Sequence, residues 1–139
     1  MRKLFLPFVA LAAMTLASCE STVKATDTKA NLDKAGYTAS IVDAAYVKNA
    51  FPSLKTEGYK ITDFLYAGKG FTAQPDIFFA VYFESIDEAS RFLSDNNNEN
   101  LGFFIDIAKA VSEEPKVGSH NNVAYAGTPT SLDASGLLK

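Results

Sequence analysis

The sequence predicts an α+β fold built on one antiparallel sheet, and three observations carry that reading. The run Ile77-Phe78-Phe79-Ala80-Val81-Tyr82-Phe83 is apolar on both faces, as in a strand at the middle of a sheet. Apolar residues recur at helical spacing in Ala44, Val47 and Phe51, in Ile86, Ala89, Phe92 and Leu93, and in Leu101, Phe104, Ile105, Ala108 and Val111. Between these stretches lie shorter strand-like segments bounded by Gly, Pro and Asn.

Taken in order, the folded part begins at Gly36, and residues 36–139 form one domain. Tyr37–Val42 alternates as a half-buried strand, with Tyr37, Ala39 and Ile41 on one side. Asp43 is placed to cap a helix that Pro52 stops. Gly58 opens a second strand, Tyr59–Ala67, and Gly68-Lys69-Gly70 with Gln74-Pro75-Asp76 brackets a loop into the third. Ser85-Ile86-Asp87-Glu88 has the spacing of a capping box, in which hydroxyl and carboxylate satisfy backbone donors of the first helical turn. Asp95-Asn96-Asn97-Asn98-Glu99-Asn100 is expected to interrupt the helix as a polar loop, with helix resuming up to Pro115. Asn122–Ala126 reads as a last short strand, and Ser131 as the start of a final helical turn.

The resulting order is βαββαβ with a short extra C-terminal helix. It fits a ferredoxin-like antiparallel sheet, first and third strands central, second and fourth at the edges, helices on one face. A less regular α+β meander is the alternative.

The N-terminus carries a different signal. Arg2 and Lys3 precede an apolar stretch, Leu4–Leu16, that is too short for the roughly 20 residues a membrane-crossing helix needs. It ends in Leu16-Ala17-Ser18-Cys19, where Cys19 is the only cysteine of the chain. These residues resemble the lipobox of bacterial lipoprotein signal peptides: Leu three positions before the cysteine, two small residues, then Cys. The resemblance implies that residues 1–18 are a signal peptide cut between Ser18 and Cys19, and that the Cys19 thiol receives a diacylglyceryl group. It also implies a domain held outside the cytoplasm at the bacterial envelope by acyl chains such as palmitate. One acyl chain anchors only marginally, whereas two or three on one residue hold firmly.

Residues 19–35 read as a flexible tether. From Glu20 to Lys34 the composition turns to Thr, Lys, Ala and Asp, with Val23 and Leu32 the only large aliphatic residues. About 15 such residues would span roughly 20 Å. An amphipathic helix reaching back from Ala35 is the alternative.

The 139-residue chain carries a net charge of −3, more negative once Arg2 and Lys3 leave with a signal, so neither nucleic acid nor an anionic surface is an expected partner. With Cys19 acylated, no thiol remains for disulfides or thiolate metal sites.

Residue types that carry chemistry are sparse, and no catalytic residue, metal site or cofactor is assigned. His120 is the sole histidine, read as lying in a loop before the last strand, without a spaced His or Cys partner for a metal. The carboxylates Glu84, Asp87 and Glu88, and Glu113 and Glu114, fall at helix ends. The Asp95–Asn100 segment lacks the ligand alternation and turn glycine of a calcium loop. In Gly68-Lys69-Gly70 the lysine is followed by a Gly and then Phe71, so the run is a turn and not a phosphate loop.

The aromatic residues of the third strand are the candidate interaction face. Phe78 and Tyr82 point opposite to Phe79, Val81 and Phe83. With helices on one face only, their side is left for a twin subunit, another envelope protein, a ligand or the C-terminal helix. The leading expectation is therefore a non-catalytic, lipid-anchored envelope domain that associates with itself or another protein. A small-ligand-binding lipoprotein and an envelope hydrolase are the alternatives. In layout, Ala35-Gly36-Tyr37, Ser85-Ile86-Asp87-Glu88-Ala89 and Asn122–Thr128 loosely resemble small bacterial lipoproteins with a βαββ-type domain. That likeness implies a fold and an address.

Overall fold

The computed structural model describes residues 22–70, 76–111, 114 and 116–138. The chain runs α1 (Ala25–Lys34), β1 (Thr38–Val42), α2 (Ala44–Ala50), β2 (Ile61–Lys69), β3 (Asp76–Phe83), α3 (Ile86–Val111), β4 (Lys116–His120), β5 (Val123–Gly127) and α4 (Pro129–Ser135). The fold is α+β, with a five-stranded sheet in the order β1-β2-β3-β5-β4 and every neighbouring pair antiparallel. The ferredoxin-like βαββαβ succession is present, with β4 as one strand more than expected.

The strand order departs from the expected one, because β1 is an edge while β3 is central. Helix α2 is only seven residues long, and together with the 51–60 connection it does not carry the chain to the far end of β1. The chain re-enters at the end it left, so β2 runs antiparallel beside β1, Val42 pairing with Phe64 and Thr38 with Gly68. The extra strand comes from a hairpin, β4 and β5, joined by Asn121 and Asn122 with Asn121 at φ 56°. Asparagine tolerates that left-handed conformation better than most side chains.

Helices cover both faces of the sheet, not one. On the first face, Val47 of α2 and Ala89, Phe92, Leu93 and Phe104 of α3 pack with Phe64, Phe79, Val81, Phe83, Ala124 and Ala126. On the second, Ala25 and Leu32 of α1 and Leu132 of α4 pack with Leu65, Phe78, Ala80, Tyr82 and Val123.

The expected flexible tether is thus corrected over most of its length: Ala25–Lys34 is helix. Ala25, Thr28 and Leu32 share its buried face, and Lys29 pairs with Asp33 one turn on at 2.7 Å. Its C-terminus is a Schellman motif. The Tyr37 N–H donates to the Leu32 carbonyl at 3.0 Å and the Gly36 N–H to the Asp33 carbonyl at 3.1 Å, with Gly36 at φ 93°.

Helix α3 continues through Asp95–Asn100, where a loop is expected, but it bends. Twelve residues of straight helix rise about 18 Å, yet the rings of Phe92 and Phe104 lie 6.2 Å apart between centroids. Asn100 is buried inside the bend. Its Nδ2 donates to the Phe92 carbonyl at 3.1 Å and the Lys55 carbonyl at 3.0 Å, and its Oδ1 accepts from the Lys55 N–H at 2.8 Å. One amide therefore both satisfies backbone at the bend and fastens the 51–60 connection to α3.

Candidate functional site: a polar cleft at the Asn122 end

The expected interaction face at Phe78 and Tyr82 is closed. Both side chains have no exposure to solvent, because α1 and α4 lie over them. The reason is size: Ala25 and Thr28 let α1 approach closely, and the same small residues make that helix look like a tether in the sequence. The Tyr82 hydroxyl is buried without a partner at hydrogen-bonding geometry. Burial pushes its pKa up, which the nearby Thr28 side chain only partly offsets.

An open concavity lies instead where β2 begins and β3 ends, a cleft of about 440 Å³ lined by Val23, Lys24, Thr62, Asp63, Glu84 and Asn122 among others. Asn122, buried in the β4–β5 turn, builds one wall. Its Oδ1 accepts from the Val23 N–H at 2.6 Å, and its Nδ2 donates to the carbonyls of Val23 at 3.0 Å and Phe83 at 2.9 Å. The opposite wall is set by an irregularity in β2: the register with β3 shifts between Ile61 and Asp63, and the Thr62 hydroxyl donates to the Tyr82 carbonyl at 3.3 Å. Such a bulge re-aims side chains at the rim of a sheet. The lining offers two carboxylates, threonine hydroxyls and the Lys24 ammonium, a set suited to a small polar molecule.

Glu88, beside this end of the sheet, is occupied by the backbone. Its carboxylate accepts from the Lys60 N–H at 2.7 Å and the Ser85 hydroxyl at 2.7 Å, and from the Ser85 N–H. The carboxylate half of the expected capping box is therefore present, while the hydroxyl bonds the carboxylate itself and not a backbone donor. Burial alone would raise its pKa, but these bonds and the Arg91 charge hold the carboxyl below its ordinary value. Asp43 likewise caps α2, accepting from the Tyr46 N–H at 2.9 Å.

No family model, curated protein or solved structure matches the chain.

The remaining candidates are scattered. His120 is exposed at the end of strand β4 and not in a loop. Lys69 of the Gly68-Lys69-Gly70 run belongs to β2, donates to the Ala35 carbonyl at 2.8 Å and sits 5.4 Å from the centre of the Tyr37 ring. Burial, followed by the neighbouring Asp76 carboxylate, pushes the Tyr37 phenol up to about 12. Asp95 accepts from the Tyr59 hydroxyl at 2.8 Å, and Arg91 lies 5.5 Å from the centre of that ring. Burial, then the Asp95 contact, pushes the Tyr59 phenol up to about 12.

Among the described residues, no group of three or more His, Cys, Asp or Glu side chains converges on a metal-sized site, and no helix is long and apolar enough to cross a membrane. Residues 1–18, Ser18 and Cys19 lie outside the described residues, as do Phe71, Gln74, Pro75, Glu113 and Pro115.

The cleft and its Asn122 clamp are not anticipated from the sequence. The signal that points to them is the Asn121-Asn122 pair at the start of the last strand-like run, asparagine being a residue type that favours tight turns.

Proposed function

We propose that this chain is a non-catalytic domain of the bacterial cell envelope, anchored through lipid on Cys19, that acts by binding another envelope protein or a second copy of itself. The observation that carries the reading is the Leu16-Ala17-Ser18-Cys19 signature lying just ahead of a domain whose first described residues are fixed to the sheet. The use of the buried polar groups supports it. Glu88, Asn100, Asn122, Ser131 and Ser135 all direct their bonds to the chain's own backbone or to neighbouring caps, holding elements together. Self-association would run through edges or helix surfaces, since the Phe78 and Tyr82 face is filled from within.

The test is the mass of the protein recovered from bacterial membranes. An N-terminal Cys19 carrying acyl chains is expected, and Cys19→Ser should move the protein out of the membrane fraction. A full-length, unmodified chain in the soluble fraction would sink the proposal. Crosslinking on intact cells then reads association: strictly monomeric protein captured with nothing counts against a binding role.

A second reading follows from the polar cleft, whose volume of about 440 Å³ falls in the range of small-molecule sites. A ligand at 100 times its Kd adds about 2.7 kcal/mol of stability, so a thermal-shift screen of small polar metabolites would reveal one.

A further inference from the structure

The helix that replaces the expected tether changes where the domain must sit. Three peptide units separate Cys19 from Thr22, at most about 11 Å of chain even fully extended. From Val23 onward the chain is fixed: Asn122 holds both main-chain polar groups of Val23, and α1 packs against the sheet from Ala25. The anchor point is therefore confined to the end of the domain where Val23 lies.

The strand registers define what else is at that end. Val42 pairs with Phe64, Ile61 with Phe83, Tyr82 with Val123 and His120 with Val123, so the end of β1, the start of β2, the end of β3 and the β4–β5 turn gather there. Thr38, Lys69, Asp76, Lys116 and Gly127 mark the opposite end. Helices α2 and α3 also start at the Val23 end, directly after Val42 and Phe83.

An independent observation falls on the same end. Tyr46 in the first turn of α2 is 50% exposed and Ile86 at the start of α3 is 40% exposed. Of the other two exposed large apolar side chains of the described residues, Tyr66 lies in mid-strand and Leu138 beside Lys116 at the opposite end. Tyrosine, with an apolar ring and a polar tip, and an aliphatic neighbour are the side chains that settle in the interfacial layer of a bilayer.

We infer that the domain rests directly on the membrane by its Val23 end, with Tyr46 and Ile86 against the headgroup layer and the Thr38–Lys116 end pointing away. This rests on the lipid anchor at Cys19. The partner is a lipid surface engaged through Tyr46 and Ile86 and not through basic charge: at this end Lys24 and Lys60 stand against Asp43, Asp63, Glu84, Asp87 and Glu88. The polar cleft would then open toward the headgroups, and a protein partner would approach the Thr38–Lys116 end or the flanks.

The experiment uses the full-length chain, processed by a bacterial host and reconstituted into phosphatidylcholine vesicles containing a headgroup-nitroxide lipid. Fluorophores are placed one at a time through Lys60→Cys and His120→Cys at the near end, and Thr38→Cys and Thr130→Cys at the far end, all exposed positions. With about 3.3 Å of rise per residue, the eight residues of β3 separate the ends by roughly 25 Å. Quenching several-fold stronger at Lys60→Cys and His120→Cys is expected, and the contrast should narrow in a Tyr46→Ser/Ile86→Ser background. Acylated protein quenched equally at both ends overturns the orientation and leaves the anchor standing. An unchanged contrast in the double variant removes the role given to Tyr46 and Ile86. Intact mass reads the anchor by itself: Cys19 without acyl chains overturns both the anchor and the orientation built on it.

Discussion

Asn122 grips Val23, 99 residues earlier in the chain, through both main-chain polar groups at once: Oδ1 accepts from its N–H at 2.6 Å and Nδ2 donates to its carbonyl at 3.0 Å. The same Nδ2 also holds the Phe83 carbonyl at the end of the central strand. One side chain thus ties the start of α1 to the middle of the sheet, and α1 in turn covers Tyr82.

Replacing Asn122 by Ala should therefore act at a distance. The loss of buried hydrogen bonds is expected to cost about 1–3 kcal/mol, read as a lower midpoint in urea. Amide exchange should accelerate in Thr28–Leu32 more than in β2. Equal acceleration throughout would show that the clamp acts only on global stability.

Asn100 makes the parallel case on the other face. Asn100→Leu keeps the volume but strands the carbonyls of Phe92 and Lys55 and the Lys55 N–H, at an expected cost of about 1–3 kcal/mol. The 51–60 connection should exchange faster in this variant while α1 keeps its protection. Wild-type protection across residues 51–60 would refute the fastening role.

Legibility in the sequence followed side-chain size. The central strand β3 and the Asp43 cap are readable because each rests on local pattern, and both stand in the structure. Of the Ser85–Glu88 box only the carboxylate half stands, the Ser85 hydroxyl bonding the Glu88 carboxylate in place of a backbone donor. Helix α1 resembles a tether in the sequence because its buried face is Ala25, Thr28 and Leu32, residues that pack closely without announcing a hydrophobic stripe. Its Schellman end at Gly36 and Tyr37 was the available clue. The apolar run Ile77–Phe83 in fact demanded cover on both faces, yet pattern alone does not say which element supplies it. The bend in α3 hid for the opposite reason. A string of Asp and Asn reads as a break, whereas one buried Asn100 lets the helix turn without stopping. Strand β4 has Val117 as its only aliphatic residue, so its place at the edge follows from the turn that precedes Val123. The cleft was illegible because its walls come from residues 22–26, 62–63, 83–84 and 122, brought together only by the sheet.

Tyr82 offers a substitution that should stabilise. Its hydroxyl is fully buried without a hydrogen-bond partner, so Tyr82→Phe removes a desolvated polar group while keeping the ring. A gain of about 1 kcal/mol is expected, read as a higher urea midpoint at unchanged slope. A loss of stability would mean that the hydroxyl has a working bond to Thr28.

Glu88 gives the fold a defined acid response. Burial opposes its charge, but the Lys60 N–H, both donors of Ser85 and the Arg91 charge outweigh that and hold its pKa below the ordinary value. A carboxyl whose folded pKa is depressed contributes its full stabilisation above the unfolded pKa, about 4.3 for Glu, and loses it as pH falls through the folded value. Unfolding free energies of the wild type and Glu88→Gln should accordingly differ by about 1.5 kcal/mol at neutral pH, where the charge-assisted bonds are intact. The gap should hold down to roughly pH 5 and close progressively below the unfolded pKa. Because Lys60 leads into β2 and Ser85 into α3, the wild type should also lose protection first where those two elements meet. A gap that stays constant from pH 7 to well below 4 would assign the effect to side-chain shape and not to the charge.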